Sequence, residues 1–387
     1  MSSGLKSIAM NFQSHKRIVL VAIPLVLSAF THLFNPIGFP SIDHDEGHYM
    51  RRAMEVIDGL GPQESRTVFP NPIDHPYFGQ LFLAGALKIV GYPSSLNLTA
   101  LTATGSSNNV AEGVHANEML WLVPRILMGL LAIADTFLIY KIAERRYNAT
   151  VALIASVLFA VMPLSWMTRR IFLESIQLPV ILSSVLAAIY LIGSKESKKN
   201  AAPEKRPQDS NFNFNPYNSK ILVLTSGIFL GLAIFTKIPA IAMIPVVGFL
   251  IYTNIGYTKN SNNSGSKIRR ILHPNRRNIK MLALWFIPVI LIPIIWPLYS
   301  ISVGYSFGYW LDRVVYQGTR LGQAPLQAAL RDDFSFDPIF IILGLTGLAY
   351  AAVKRDFFLI LWAVPFLIFL YEVHWVMPFH IVPLFPV

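Results

Sequence analysis

The sequence predicts an all-α polytopic membrane protein, and three observations predict it. Hydrophobic residues make up 53% of the 387 and charged residues only 14%, against roughly 25% charged in a soluble domain. The apolar residues fall in runs near the length of a spanning helix, about 20 residues with ~17 tolerated. The charges that remain collect between those runs, sorted by sign. Cysteine is absent, which excludes a disulfide framework, Cys-ligated zinc and a thiol nucleophile. No extramembrane stretch carries a hydrophobic pattern of its own, so a single membrane domain over residues 1–387 is expected.

The first run, residues 18–36, follows Lys6, Lys16 and Arg17. It lacks a small-residue cleavage site and reads as an uncleaved anchor. Further spans are expected at residues 119–140, 151–167, 171–192, 281–301, 338–353 and 357–371, with an apolar tail at 374–387. Residues 221–252 form a run of 32 broken only by Lys237 and Pro239. As one helix it would measure ~48 Å at ~1.5 Å per residue, well beyond a hydrocarbon core of ~30 Å. Two short helices turning at Thr236-Lys237-Ile238-Pro239 are expected instead. The total is about nine spans plus a partial last one.

Residues 75–92 are apolar but contain His75, Gln80 and Lys88. If they crossed, every later loop would change sides. The loops at 141–146, 195–220, 259–280 and 354–355 hold 18 Lys/Arg, and the opposite side of the later chain holds 7. The positive-inside rule puts the 18 in the cytoplasm. That agrees with a cytoplasmic N-terminus only if residues 75–92 lie flat at, or re-enter, the outer interface. Sorted this way, the cytoplasmic side is net +16 and everything else net −5. The total of +11 therefore marks orientation, not nucleic-acid binding. Stretches 194–219 and 255–279, rich in Asn, Ser, Lys and Pro, read as cytoplasmic linkers. Residues 41–117 and 302–337 are the external loops, the first carrying juxtamembrane helices.

The chemistry is expected outside. Ser41-Ile-Asp-His-Asp-Glu-Gly-His-Tyr49 brings Asp43, His44, Asp45, Glu46 and His48 within six residues, just beyond the first span. Tyr49, Ala53, Val56, Ile57 and Leu60 then recur at helical spacing, so a helix follows on the membrane surface. Asp45 reads as its N-cap and Glu46 as a favourable first-turn charge. A cap does not require Asp43, His44 and His48 as well. A carboxylate pair at a lipid boundary is also where a pKa rises toward that of a useful base. In Pro70-Asn-Pro-Ile-Asp-His-Pro-Tyr-Phe-Gly79, three prolines limit how the interfacial helix starts and set Asp74 and His75 at its N-terminus. A Pro-rich turn with an Asp cap is the plainer reading.

Cations stand at outer helix ends: Arg125 within its span, Arg169 and Arg170 before Glu174, and Lys237 at the hairpin turn. Charges within spans are costly and face a cavity or a partner. Snorkelling, or a pair with Glu174, would account for Arg169 and Arg170. Asp135, deeper in the same span as Arg125, is given no role. Gly227-x-x-x-Gly231 is a helix-packing pattern, and Asn97-Leu-Thr99 an external N-glycan acceptor. His44, Asp45 and His48 offer ligands to a divalent cation, but such short-range loop clusters are more often solvated, and no cofactor is expected.

Taken in order, these features resemble the GT-C class of membrane glycosyltransferases that use lipid-phosphate sugars, above all the protein O-mannosyltransferase and aminoarabinose transferase group. The resemblance is carried first by Asp45-Glu46 after the first span. Asp74-His75-Pro76-Tyr77-Phe78-Gly79 stands where the group has His-Pro-Pro-Leu or Lys-Pro-Pro-Leu, with Tyr77 replacing the second Pro. Arg125 lies early in the second span, and Arg169/Arg170 with Glu174, where the group usually has Asp, open the fourth. Gly231-Leu-Ala-Ile-Phe-Thr-Lys237 matches a turn of the group, and Met377-Pro-Phe-His-Ile-Val-Pro-Leu-Phe-Pro386 is similar to the start of its Pro-rich late span.

The resemblance implies a GT-C fold that stops inside a span. It implies an inverting transferase moving mannose or a related sugar from a polyprenyl- or dolichyl-phosphate donor. The acceptor would be a hydroxyl or phosphate on a protein, lipid or glycan at the outer face. Asp45 is then the base, with Glu46 second. Arg125, Lys237, His75, Arg169 and Arg170 hold the donor phosphate, supported by Asp74, Glu174, His48 and Asp43. The external loop, with Tyr305, Tyr309, Trp310, Asp312, Arg313, Tyr316 and Arg320, is expected to cover the acceptor. A transporter or lipid-linked-sugar flippase is the alternative. Transporters favour midplane ionisable residues and paired repeats, whereas here the charges collect at outer ends.

Overall fold

The computed structural model describes residues 3–62, 73–94, 110–199, 217–256, 276–319, 325–373 and 375–387. Residues 70–72, the Asn97 motif, Arg320 and most of the stretches 194–219 and 255–279 expected to be linkers lie outside them. Every regular element among the described residues is helical. Helix α1 (Ser3–Leu33) leads to α2 (His44–Ile57) and α3 (Phe78–Ile89). Helices α4 (Val110–Arg146) and α5 (Ala149–Val161), a 3₁₀ turn at Pro163–Arg169 and α6 (Leu173–Lys199) follow. Next come α7 (Tyr217–Thr236), a 3₁₀ turn at Ile238–Met243 and α8 (Ile244–Gly256). The chain continues through α9 (Arg276–Ser302), α10 (Phe307–Thr319), α11 (Leu326–Phe336), α12 (Pro338–Lys354) and α13 (Phe357–Glu372) to a last 3₁₀ turn, Pro378–Leu384.

Four described stretches are long and apolar enough to cross a membrane: Glu118–Arg146, Leu173–Leu191, Ser219–Thr236 and Arg276–Ser302. A fifth is bent, with α5 and Pro163–Arg169 meeting at 70°. A single span was expected there, over residues 151–167. Pro163 breaks it, because proline has no N–H to continue the ladder and forces the preceding residue out of the helical region; Met162 is extended, at ψ 134°. Helix α1 and the apolar stretches Ile238–Asn254, Pro338–Lys354 and Phe357–Glu372 stand at the other expected spans.

Helix α3, expected to lie flat, has 12 residues, or ~18 Å, too short to cross ~30 Å of hydrocarbon. It packs on α2, its Leu83, Ala84 and Leu87 sharing an apolar cluster with Tyr49, Met50 and Ala53. The long apolar run does break at Lys237, whose backbone is extended (φ −157°, ψ 135°). On α7, a Cβ at Gly227 or Gly231 would collide with the carbonyl oxygens of Trp285 and Pro288 on α9. Glycine there lets the two backbones touch. Trp285, Trp362 and Phe366 are buried at the centre of the main core. Ile287, Ile290, Leu291, Ile294, Ile295 and Leu298 of α9 are exposed, an apolar stripe that suits lipid.

Candidate functional site

Helix α2 begins two residues before the expected start. Asp43, not Asp45, is its N-cap: Asp43 Oδ1 accepts the Asp45 N–H at 3.0 Å, and Glu46 Oε1 accepts the Asp43 N–H at 2.9 Å. This capping box accounts for Asp43 and leaves Asp45 in the first turn, half-buried. Among the described residues no side chain bonds to the Asp45 carboxylate.

Its neighbour is fully engaged. Glu46 is wholly buried. Arg125 Nε and Nη2 donate to its two oxygens at 3.0 and 2.6 Å. Arg125 Nη1 donates to the carbonyls of Pro36 and Pro40 at 2.8 and 2.7 Å, and Nη2 to that of Ser41 at 3.3 Å. A guanidinium has five N–H donors, and all are used. Glu46 Oε2 also accepts the Ile171 N–H at 3.0 Å. The pair fastens the segment between α1 and α2 to α4 and to the start of α6. In this geometry all five Arg125 donors and both Glu46 oxygens are engaged within the protein.

Arg169 is buried and donates to the Phe34 carbonyl. Arg170 Nη1 lies 3.4 Å from Asp43 Oδ2. Neither pairs with Glu174. Arg51 donates to His48 Nδ1 at 2.8 Å, so His48 carries its ring proton on Nε2, 3.1 Å from His44 Nε2. His48 thus faces along α2. No group of three His, Asp or Glu among the described residues is arranged to hold a metal ion.

The polar groups that do converge lie where α2, α3, α6 and the Lys237 turn meet. Arg52 is buried on α2 and reaches Asp74 Oδ1 at 2.8 Å. His75 Nε2 is 3.8 Å from Asp74 Oδ2. Burial pushes the Asp74 carboxyl up, but the His75 and Arg52 charges outweigh it and hold the group below its usual 3.8. Lys237 is ion-paired with Glu174. That uses one of three ammonium N–H donors, and Glu174 Oε2 has no hydrogen-bond partner. His380 Nδ1 accepts the Met377 N–H at 3.1 Å, leaving Nε2 to carry the proton 3.7 Å from Glu174 Oε1. Asp45 is near enough for its charge to act on Glu174 and on Tyr49. Burial, then those two acids, hold the Tyr49 phenol well above its ordinary 10. Asp74, His75, Lys237 and His380 line a cavity of about 260 Å³ whose other walls include Val314, Phe369 and Leu370.

Arg52, Tyr49 and His380 were not singled out from the sequence. His380 had a signal, as the lone ionisable residue of the apolar stretch 375–387. Arg52 had only its place on the face of α2 shared with Tyr49 and Ala53.

No family model and no curated protein matches this chain. Solved structures do. The Archaeoglobus fulgidus oligosaccharyltransferase in complex with Zn and sulfate is similar at a TM-score of 0.51 and 14% identity, over 95% of this chain and 48% of that one. The same enzyme tethered with an acceptor peptide containing the NVT sequon gives 0.50 at 12% identity, over 97% and 49%. The Saccharomyces cerevisiae protein O-mannosyltransferase Pmt1-Pmt2 complex bound to the sugar donor gives 0.47 at 18% identity, over 77% and 34%. The chain spans half the length of these proteins or less. A helix-only architecture, spanning runs and a likeness covering 95% of the chain give it the fold of the GT-C membrane glycosyltransferases.

Proposed function

We propose that this chain is an inverting glycosyltransferase that moves a sugar from a polyprenyl-phosphate donor to an acceptor hydroxyl at the outer face of the membrane. One observation carries the reading. An unpartnered Asp45 carboxylate lies within electrostatic reach of a cavity with cations at one end and apolar walls at the other. A polyprenyl-phosphate sugar has that duality. Its tail belongs against Phe369, Leu370 and the bilayer, and its phosphate against Lys237, which keeps two N–H donors, and the Nε2–H of His380. His75 stands at the same end, held by Asp74.

The acceptor oxygen bonds to the anomeric carbon while its proton passes to Asp45. The bond from that carbon to the phosphate oxygen breaks, and its electron pair leaves on the polyprenyl phosphate. Lys237, His75 and His380 compensate that charge as the sugar passes through an oxocarbenium-like state. Attack opposite the leaving group inverts the anomeric carbon. Tyr49 keeps its proton and serves as a hydrogen-bond donor beside the base. Arg125 and Glu46 hold the Asp45 segment in place, and the sorted charge of the loops puts this face outside.

The test is a purified, lipid-linked-sugar transfer assay. Wild type is expected to transfer, and Asp45→Asn to be inert with an unchanged melting temperature. Equal rates would remove Asp45 from the reaction.

A further inference from the structure

A second cavity, of about 450 Å³, adjoins the first. Phe379 lines it, whereas His380, the next residue, lines the other. Its size falls in the ~300–1,000 Å³ range of small-molecule sites. Three side chains in its wall carry buried polar atoms without a hydrogen-bond partner: both carboxyl oxygens of Asp333, Nε1 of Trp166 and Nε of Arg170. Asp333 is wholly buried. Unpaired buried groups are costly and rare in folded proteins, so three around one cavity describe the ligand they await.

That ligand has to donate and accept. Trp166 and Arg170 offer only N–H groups, and Asp333 offers lone pairs. An alkylammonium brings donors alone and would leave Trp166 and Arg170 unsatisfied. A phosphate brings acceptors alone and would meet the charges of Asp43 and Asp332. Hydroxyls do both. Burial and the neighbouring Asp332 push Asp333 up to about 8, so at neutral pH it is a carboxylic acid that itself donates and accepts. The rest of the wall is largely apolar, with the Phe39 and Trp166 rings set edge to face at 5.4 Å. A pyranose has this character, with C–H groups on its faces and hydroxyls around its rim. Extended peptides are commonly held by pairing to a strand edge, and no strand exists among the described residues.

We propose that this cavity binds a saccharide, so that the acceptor hydroxyl belongs to a sugar on a glycan or a glycolipid. The proposal rests on the glycosyltransferase reading above. Ser41 and Asp43, which lead into Asp45, border the cavity, so a bound sugar stands beside the proposed base.

The full chain in detergent is titrated calorimetrically with methyl hexopyranosides and their disaccharides. Wild type is expected to bind at least one. Trp166→Phe, which removes the indole N–H and keeps an aromatic ring, and Asp333→Ala are each expected to weaken binding about tenfold, as for one buried hydrogen bond. Thermal melts confirm that both variants are folded. In the transfer assay a soluble oligosaccharide and a glycolipid acceptor run in separate arms, which tells the two sources apart, and a Ser/Thr-rich peptide runs in a third. No saccharide binding by wild type, or binding unchanged in both variants, overturns the proposal. Transfer to the peptide alone, indifferent to Asp333→Ala, also overturns it and leaves the glycosyltransferase reading standing. Binding that depends on Asp333 and Trp166, with no transfer from lipid-phosphate sugars to any acceptor, supports the saccharide site and sinks that earlier reading.

Discussion

Two buried acid–base pairs stand near α2 in this helix bundle, and they are built differently. Around Glu46 and Arg125, all five guanidinium donors and both carboxylate oxygens have partners. Around Glu174 and Lys237, one carboxylate oxygen has none, two ammonium donors remain, and the lysine lines a cavity. The residue types are nearly the same. A closed pair offers nothing to an arriving ligand, because no donor or lone pair is left to answer it. An open pair holds its charges in place and keeps capacity in reserve. The count of donors and acceptors, not the presence of charge, separates scaffold from site.

The comparison breaks most visibly at Arg125. Arg125→Ala strands a buried carboxylate and is expected to cost ~3–5 kcal/mol of stability, read as loss of folded protein on size exclusion and melting. Arg125→Lys restores only three donors and should rescue little. If Arg125→Ala instead melts normally and merely binds donor less well, the closed pair is a ligand site after all.

Asp45→Asn comes next, with transfer lowered by ~10²–10⁴-fold, the usual contribution of a general base, and melting unaltered. For the open pair, a cycle of Glu174→Gln, Lys237→Gln and the double variant is expected to show coupling of ~0.5–3 kcal/mol in stability. Lys237→Gln should also raise the KM for donor; an unchanged KM would make this pair scaffolding too.

A smaller effect is expected at Asp74. Its folded carboxyl lies below 3.8 because of His75 and Arg52. Its contribution to stability is therefore complete above the unfolded value and lost as pH falls through the folded one. The gap in melting temperature between wild type and Asp74→Asn should hold near neutrality and close in acid. A gap that widens in acid would remove the ion pair. The smallest effect is expected at Tyr77, whose hydroxyl lies 3.1 Å from Ser300 Oγ. Tyr77→Phe should cost about 1 kcal/mol and leave transfer alone.

Much of the architecture was legible because a membrane makes length and polarity decisive. The 32-residue run had to break, and Pro239 beside Lys237 marked where. Residues 75–92 were not expected to cross, and the helix there has 12 residues. The pairing within the site was less legible. Glu174 is five and four residues from Arg169 and Arg170 by one reading and sixty-three from Lys237 by the other, and packing chose the distant partner. Asp45 and Glu46 are adjacent acids that look alike in sequence. They differ because one turns inward to Arg125 and the other does not. Asp333 gave no sequence signal, since the cavity around it is walled by three segments distant in the chain, at residues 39–43, 163–170 and 377–379.

The turn Pro378–Leu384 sends consecutive side chains into two chambers, and the Lys237 ammonium sits 5.2 Å from the Phe379 ring centroid. The partition is about one side chain thick. Its consequence belongs to the rate law. Two substrates that press on the same ring from opposite chambers do not bind independently, and the factor by which one alters the affinity of the other is reciprocal at equilibrium. For the two-substrate transfer proposed above, that factor sets where double-reciprocal plots intersect relative to the abscissa.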